Sequence, residues 1–406
     1  MDLIGLDRIE AAAALLAPVI RRTPLVTSRV LGERIGGEVL LKCENLQRTG
    51  SFKPRGAYNR IANLTPRDRA RGVVAASAGN HAQGVAWAAT SLGIASTVFM
   101  PIGASLPKLA ATKAYGATVE QVGDTVDDSL AAAIEFAEHT GATLIHPFDH
   151  ADVVAGQATV ALEMLEQHPD LGTVLVPTGG GGLLAGVAVA LRRLAPHVRV
   201  IGVQAAEAAA WPDSLAAGKP VRAHSMSTMA DGIAVGLPGA VPFAHVAACV
   251  DTVVTVDEEA LSRALLLCLE RGKLIVEPAG AAGVAALISC EETELALRGT
   301  VATILSGGNI DPLLLTRVIG HGLSAAGRYL GVRVTLTDRP GALSVLLTVV
   351  GKTGASVVDV AHSRTGTALA VGEVEVSLTM ETRGPNHRDE VLGALEVAGY
   401  AVRVED

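Results

Sequence analysis

Short apolar runs alternate with alanine-rich amphipathic segments over most of the chain. Apolar runs of four to eight residues are typical of buried strands, and longer segments with apolar residues three and four apart are typical of helices. Strands are predicted within residues 72–76, 95–101, 117–123, 142–148, 173–177, 198–205 and 300–305, and helices within 80–93, 126–141, 182–194 and 257–272. This alternation predicts right-handed crossovers and a mostly parallel sheet, and therefore an α/β fold.

Three polar turns that contain glycine follow predicted strands, at residues 77–81, 178–182 and 306–309. In open parallel sheets, ligands bind outside the carboxyl ends of the strands. A single turn of this kind is commonplace. Three in one chain predict that they converge on one binding site.

The pattern changes near Tyr329. From there to the end, the order is strand, helix, two strands, helix and strand, which is the order of a compact ferredoxin-like unit. We therefore predict two domains, at residues 1–325 and 328–406.

Composition narrows the class of ligand. Hydrophobic residues make up 49% of the 406 residues and aromatic residues only 3%, so Ala, Val, Leu and Ile must build the core. A net charge of −8 without a dense Lys/Arg run argues against nucleic-acid and anionic-membrane partners. No apolar run of spanning length is free of Gly, Pro or charge, and the start lacks a secretory pattern, so we expect a cytoplasmic protein with small ligands. The four cysteines form no CxxC pair, which argues against a zinc knuckle or a disulfide framework.

Lys53 lies between Phe52 and Pro54, with Arg55 two places later. Pro54 suits the first position of a helix, which puts Lys53 at the positive end of the helix dipole. That field, the Arg55 charge and the apolar Phe52 disfavour an ammonium group, so we expect a lowered pKa for Lys53, as a Schiff-base lysine requires. These residues alone leave an ordinary loop lysine as the alternative.

Four consecutive glycines, Gly179, Gly180, Gly181 and Gly182, follow a predicted strand and precede a helix. Such a turn lets backbone N–H groups approach a phosphate, with the helix dipole behind them. Gly180, Gly182 and Ala185 also satisfy the relaxed dinucleotide fingerprint, with Glu207 downstream as a ribose acceptor, although a lone match of that kind is weak. A tight structural turn is the remaining alternative.

Four motifs in order resemble the fold-type II pyridoxal-phosphate enzymes, specifically the threonine dehydratase (threonine ammonia-lyase) group. They are SFKPRGA at 51–57, SAGNHAQG at 77–84, GGGGL at 179–183 and LSGGNID at 305–311. The resemblance covers about residues 6–323 and implies two parallel-sheet α/β subdomains, with the small one, at about 46–150, inserted in the large one. The tail resembles a single ferredoxin-like ACT regulatory domain, with DRPGAL at 338–343.

The resemblance also implies roles for individual residues. Lys53 would hold pyridoxal 5'-phosphate covalently, and Phe52 would pack against the cofactor ring. Asn80 would hydrogen-bond the phenolic oxygen of the cofactor, and Ser306 would meet its pyridine nitrogen. The phosphate would be held by Gly179, Gly180, Gly181 and Gly182.

The implied reaction converts L-threonine to 2-oxobutanoate and ammonia, and L-serine to pyruvate. Ser77 and the backbone of 78–81 would receive the substrate carboxylate, and the Lys53 amine would remove the Cα proton; His81 is not expected to be catalytic. Ala78 stands where similar racemases have a serine, which favours elimination. Three alternatives are a related enzyme acting on serine or hydroxyaspartate, a nicotinamide-linked oxidoreductase that uses the glycine turn, and a catalytically silent amino-acid sensor.

A cation site is implied at Glu207 and Asp213. Relatives with a bound cation use a glutamate and, six residues later, an aspartate, and a carbonyl near Trp211 lies between these two positions. Oxygen ligands suit Mg or another cation, including a monovalent one. Two exposed loop carboxylates are an equally good interpretation.

The ACT-like tail implies pairing and regulation. A homo-oligomer, specifically a tetramer, is expected, with isoleucine or valine bound near residues 338–343. A purely structural dimerisation tail is the alternative. The sequence does not separate a role in isoleucine biosynthesis from a catabolic role.

Overall fold

The computed structural model describes residues 2–364 and 369–405, and the chain forms two compact units, Met1–Pro312 and Leu313–Asp406. Both predicted domain ranges include positions outside the described residues, namely Met1, 365–368 and Asp406. The first unit ends before the predicted boundary at 325, because helix Pro312–Ala325 is grouped with the second unit. The roles assigned to the two ranges stay predictions.

The first unit contains ten strands and fourteen α-helices in its described part, together with short 3-10 and π-helical turns. The strands are β1 (Leu25–Thr27), β2 (Val39–Lys42), β3 (Val73–Ala76), β4 (Ser96–Met100), β5 (Thr118–Gln121), β6 (Thr143–Leu144), β7 (Leu171–Pro177), β8 (Arg199–Ala205), β9 (Thr252–Val256) and β10 (Thr300–Ile304). The helices are α1 (Leu6–Leu16), α2 (Arg29–Ile35), α3 (Lys53–Ala62), α4 (Pro66–Arg71), α5 (Asn80–Ser91), α6 (Leu106–Ala114), α7 (Val126–Thr140), α8 (Ala151–Gln167), α9 (Gly182–Leu194), α10 (Trp211–Ala217), α11 (Ala240–Cys249), α12 (Glu258–Leu267), α13 (Pro278–Ser289) and α14 (Glu292–Leu295).

Two sheets organise these elements. The larger sheet has the order β1-β2-β10-β7-β8-β9, and all neighbours are parallel except β1 and β2. The smaller sheet, β5-β4-β3-β6, is entirely parallel and uses only residues between 73 and 144. The interior strands β2 and β3 are buried along their whole length, as expected for strands covered on both faces. The predicted α/β fold with parallel sheets is confirmed.

The backbone of helix α8 is in close contact with the backbones of α3 and α9. A Cβ atom added to Gly156 would lie 2.4 Å from the carbonyl oxygen of Arg55, and one added to Gly186 would lie 2.6 Å from that of Val154. These approaches require glycine, because a side chain at either position would separate the helices. Helices α3 and α9 therefore have defined positions relative to α8.

The second unit begins with helix α15 (Pro312–Ala325), whose first residue is the last of the first unit. Its other elements are β11 (Tyr329–Thr337), α16 (Ala342–Thr353), β12 (Ser356–Ser363), β13 (Glu373–Glu381), α17 (Pro385–Val397) and β14 (Val402–Glu405). The sheet is antiparallel with the order β12-β13-β11-β14. Alternate residues of β11 and β13 are buried in one core with α16 and α17, and the strand-helix order is the predicted one. The edge strand β12 is exposed along almost all its length.

No described helix is long and apolar enough to cross a lipid bilayer. The cytoplasmic location expected from the sequence stays a prediction.

A buried ion network holds the start of α3. The Arg55 guanidinium donates to both oxygens of Glu44, at 2.7 and 2.8 Å, and to Glu163 at 2.7 Å. Lys42 donates to the other oxygen of Glu163 at 2.6 Å. Lys42, Glu44 and Arg55 are fully buried, and two cations face two anions, so the network is neutral overall.

We predict that Arg55→Met destabilises the protein by about 3–5 kcal/mol, because it leaves the buried Glu44 carboxylate without its cation. The matched control is Arg22→Met, which removes an exposed ion pair with Glu166 and is expected to cost about 0–1 kcal/mol. The free energy of unfolding in urea measures both. Equal costs for the two variants would contradict the prediction.

Candidate active site

Lys53 is the first residue of α3, so the helix begins one residue before Pro54, the predicted first position. The Lys53 amine donates a hydrogen bond to the carbonyl of Pro147 at 3.3 Å and lies 5.1 Å from the centroid of the Phe52 ring. The side chain is therefore directed into the first unit, toward the loop that precedes α8, and is partly buried there.

Burial lowers the pKa of Lys53 to about 8, against the opposing attraction of the Glu277 carboxylate. The lowered pKa agrees with the expectation, but the expected contribution of Arg55 was wrong. The Arg55 guanidinium forms ion pairs with Glu44 and Glu163, and Arg55 is not among the groups that shift the pKa of Lys53. An amine with a pKa near neutrality is available as a nucleophile or a base.

Backbone hydrogen bonds join the Lys53 segment to the turn after β10. The N–H of Phe52 donates to the carbonyl of Ser306 at 3.0 Å, and the N–H of Gly308 donates to that of Gly50 at 2.9 Å. Ser51 and Gly307 form an isolated antiparallel bridge between the same segments. Ser306, which is 4% exposed, is thus adjacent to the residue before Lys53.

Hydrogen bonds define the orientation of the Asn80 amide at the start of α5. The Asn309 amide nitrogen donates to the carbonyl of Thr49 at 2.6 Å and to the Asn80 side-chain oxygen at 2.7 Å. The Asn80 nitrogen donates to Glu277 at 2.6 Å. The Thr49 carbonyl can only accept, so the Asn309 group that faces it must be the amide nitrogen, and the Asn80 group that faces this nitrogen must be the side-chain oxygen. The Asn80 nitrogen then has two N–H groups. One donates to Glu277, and the other remains for a ligand.

Glu277 is a site residue that the sequence analysis missed. It is 4% exposed at the start of α13, and its backbone N–H donates to the carbonyl of Gly307. Burial, and then the negative charge of Asp231, raises the pKa of Glu277 to about 7. A single carboxylate directly before Pro278, in a segment of small apolar residues, was the signal that could have identified it.

The Ser77–His81 turn also borders the site. The Ser77 hydroxyl oxygen accepts the N–H of Gly79 at 3.1 Å and so stabilises the turn. His81 is buried, and its Nε2 donates to the carbonyl of Ile145 at 2.7 Å in the neutral form. Burial, and then the positive charge of Lys53, lowers the pKa of His81 to about 3, so this side chain is neutral at physiological pH.

The four glycines connect β7 to α9 in a cradle with no room for side chains. A Cβ atom at Gly180 would lie 2.3 Å from the Phe148 ring, and one at Gly181 would lie 2.3 Å from Trp211. Gly181 has a φ of 95°, which favours glycine. Within the described part of the chain, no protein group accepts the N–H groups of Gly179 to Gly182.

These features fit a phosphate-bearing cofactor that is bonded to a lysine. Unengaged N–H groups at the start of a 13-residue helix are suited to an anion. The carbonyls of Gly179 and Gly180 are held by Trp211 and by the N–H of Gly239, respectively, so the turn keeps its shape.

The glycine turn packs against Phe148, whose neighbour Pro147 accepts the Lys53 hydrogen bond. The turns at 77–81 and 306–309 are joined to each other through Asn80 and Asn309, and the second of them is bonded to Phe52. The three turns therefore lie around Lys53.

The predicted cation ligands are both exposed. Glu207 lies in the short 3-10 helix Ala206–Ala208, and Asp213 lies in α10, where its carboxylate is 3.3 Å from His224. Among the described residues, no group of three or more His, Cys, Asp or Glu side chains is arranged to hold a metal ion. The cation site at Glu207 and Asp213 stays a prediction.

Comparisons with known proteins agree with this geometry. A family model described as pyridoxal-phosphate dependent enzyme matches residues 16–307. The L-threonine ammonia-lyase of Thermotoga maritima is 45% identical over 99% of this chain and 100% of its own length. A solved threonine deaminase from T.th. is 43% identical, covers 76% of this chain and 99% of its own, and has a TM-score of 0.71. A maize serine racemase is 35% identical over 80% of this chain and 99% of its own, with a TM-score of 0.75.

We predict that the Lys53 amine of the cofactor-free protein titrates near pH 8. Because the pKa is lowered, the reactive neutral amine should form at lower pH than in Nα-acetyllysine, whose pKa is about 10.4. Pulse acetylation followed by mass spectrometry of the Lys53 peptide measures the rate across pH 6–11, and Nα-acetyllysine in the same solution is the control. A Lys53 profile that follows the control would show that burial does not lower its pKa.

Proposed function

This chain belongs to the pyridoxal-phosphate-dependent enzyme family, and we propose that it is an L-threonine ammonia-lyase. The observation that carries this function is 45% identity, over 99% of the chain, to a protein of that activity. The reaction converts L-threonine to 2-oxobutanoate and ammonia. The nicotinamide alternative is not favoured, because it gives no function to Lys53 or to the turn at Ser306.

The proposed cofactor contacts use groups that the fold leaves available. The N–H groups of Gly179, Gly180, Gly181 and Gly182 bind the phosphate, and Phe52 packs against the ring. The remaining N–H of Asn80 donates to the phenolic oxygen. Ser306 offers a hydroxyl to the ring nitrogen. When bound, the cofactor supplies an electron sink for negative charge at the substrate Cα.

Lys53 has two proposed functions. It would hold the cofactor covalently through Nζ, and its free amine would remove the Cα proton of the substrate. A pKa of about 8 supports the second function, because a general base works best when its pKa lies near the operating pH. Ser77 and the N–H groups of the following turn bind the substrate carboxylate.

Two residues favour elimination of the β-hydroxyl over racemisation. Ala78 has no proton to deliver to the substrate, whereas a racemase needs an acid on the second face of Cα. The neutral Ser306 hydroxyl, unlike a carboxylate, would not keep the ring nitrogen of a bound cofactor protonated, so loss of the β-substituent would be favoured over prolonged stabilisation of charge at Cα. L-Serine is a second proposed substrate, with pyruvate as its product.

We predict that Lys53→Ala abolishes threonine turnover, because it removes both the covalent attachment and the base. The fold and some non-covalent cofactor binding should remain. Release of 2-oxobutanoate and ammonia from threonine measures the activity, and the visible absorbance of the bound cofactor measures attachment. A wild-type chain with no threonine turnover would contradict the proposed function. A Lys53→Ala variant with more than a trace of elimination would contradict the role of Lys53.

The second unit is proposed to be an ACT-like regulatory domain. A cavity of about 830 Å³ lies at the loop between β11 and α16, the predicted effector site. It has an apolar side, which includes Leu343 and Leu347, and a charged side, where Arg364 pairs with Asp338 at 3.1 Å. A cavity of this kind suits a branched-chain amino acid such as isoleucine or valine, with its ammonium at Asp338 and its side chain against the leucines.

A homo-oligomer is also proposed. Strand β12 is an edge strand with three exposed valines, Val357, Val358 and Val360. An exposed apolar edge is a liability in a monomer, and pairing with β12 of a second copy would satisfy its unpaired backbone groups. A tetramer is the proposed state by similarity to the threonine dehydratase group.

We predict that Asp338→Ala weakens isoleucine and valine binding about tenfold or more, because the ammonium loses its carboxylate. Basal threonine turnover should not change. Asp389→Ala, which removes an exposed carboxylate from α17, is the matched control. Calorimetric binding and turnover, with and without each amino acid, are the measurements. A wild-type chain that binds neither amino acid would leave the tail without this function.

A further inference from the structure

Lys108 is a cation at the edge of the site that the proposed mechanism does not use. It lies in α6, which follows β4 of the smaller sheet, and its Nζ donates to Asp231 at 2.6 Å. The same Nζ lies 3.8 Å from the position that a Cβ atom on Gly79 would occupy. The Lys108 amine is therefore beside the Ser77–His81 turn.

The two partners of this ion pair differ in burial. The Lys108 side chain is 15% exposed, whereas that of Asp231 is 59% exposed. Asp231 begins the short 3-10 helix Asp231–Ile233, which lies beside Glu277, since a Cβ atom on Gly232 would be 3.5 Å from the Glu277 carboxylate. The charges of Lys108 and Asp231 both act on the pKa of Glu277, which agrees with this placement.

The turn itself supplies no positive charge. Residues 77–80 are Ser, Ala, Gly and Asn, so a substrate carboxylate at this turn meets a hydroxyl and backbone N–H groups but no cation. A carboxylate that leaves water for a partly enclosed site is bound far better by charge-assisted hydrogen bonds. Lys108 is placed to supply one.

We propose that Lys108 binds the α-carboxylate of the amino-acid substrate, and that Asp231 is the resting partner that this carboxylate displaces. The inference rests on the proposed function, because it takes the substrate to be an amino acid held at the Ser77 turn. Release of Asp231 costs little, since its exposed carboxylate returns to water. Lys108 exchanges one anion for another and remains neutralised throughout.

A different role for the pair would be a fixed contact between the part of the first unit that contains the smaller sheet, where Lys108 lies, and the part that contains the larger sheet, where Asp231 lies. Ser105, one residue before α6, donates to Asp311 at 3.2 Å and makes a similar connection. In that case Asp231 would be as important as Lys108 for binding. The two roles therefore make opposite predictions for Asp231.

The experiment uses the full chain loaded with pyridoxal phosphate and two probes, L-alanine and L-alaninamide. Alanine has no β-hydroxyl to eliminate, and the amide lacks the negative charge of the carboxylate. Binding is followed by the change in visible absorbance of the bound cofactor. The variants are Lys108→Met, Lys108→Arg and Asp231→Asn, and Lys113→Met, an exposed lysine of the same helix, is the control.

We expect Lys108→Met to weaken alanine binding by about ten- to a hundredfold and to leave alaninamide binding almost unchanged. Lys108→Arg should retain part of the preference for alanine. Asp231→Asn should not weaken alanine binding, and Lys113→Met should behave as wild type. The KM for threonine should rise in Lys108→Met more than kcat falls.

Equal losses of alanine affinity in Lys108→Met and Asp231→Asn would overturn the inference and would favour the fixed contact. An unchanged preference for alanine in Lys108→Met would overturn it outright. The thermal midpoint of unfolding of each variant shows whether a loss of alanine binding comes from misfolding. If Lys108→Met is misfolded, the preference of Lys108→Arg for alanine over alaninamide decides the question. The alanine comparison does not depend on threonine turnover, so a failure of the proposed function is distinguishable from a failure of this inference.

Discussion

The site depends on the close approach of α8 to two other helices. Because Gly156 meets the backbone of α3 and Gly186 meets the backbone of α8, neither contact has a flexible side chain in between. Helix α3 begins at Lys53, and α9 begins at the glycine cradle. The packing that fixes these helices therefore also fixes the distance between the reactive amine and the anion-binding turn, as a preorganised site requires.

Charge is distributed differently in the helix anchor and in the site. Lys42 and Arg55 are balanced by Glu44 and Glu163, which they contact through short hydrogen bonds. The start of α3 is therefore held without a net charge near Lys53. In the site, burial favours the uncharged form of each ionisable group separately. It lowers the pKa of Lys53 and raises the pKa of Glu277, so both groups can gain or lose a proton near neutral pH. Perturbation of this kind is typical of functional sites.

The sequence predicted those parts of the structure that local pattern determines. The parallel strands, the helix start within one residue of Pro54, the glycine turn and the strand-helix order of the tail all follow from residues near one another in the chain. Glu277, Lys108 and Asp231 were missed because their importance comes from contacts between distant segments, such as the bond from Asn80 to Glu277. Arg55 was misjudged for the same reason, since its partner Glu163 lies more than a hundred residues away in the chain.

The proposed catalytic residues and the proposed effector cavity belong to different units of the chain, and this limits how an effector could act. The lining of the cavity in the second unit comes from residues 336–374, and the catalytic and cofactor contacts proposed here come from residues 52–306. The groups proposed to bind cofactor and substrate are not among the residues that line this cavity. An amino acid in that cavity could change activity only by binding two states of the protein with different affinity, and by no more than that difference. The proposed pairing of edge strands would offer such a pair of states, because an effector that favours the paired form would shift the assembly rather than the chemistry.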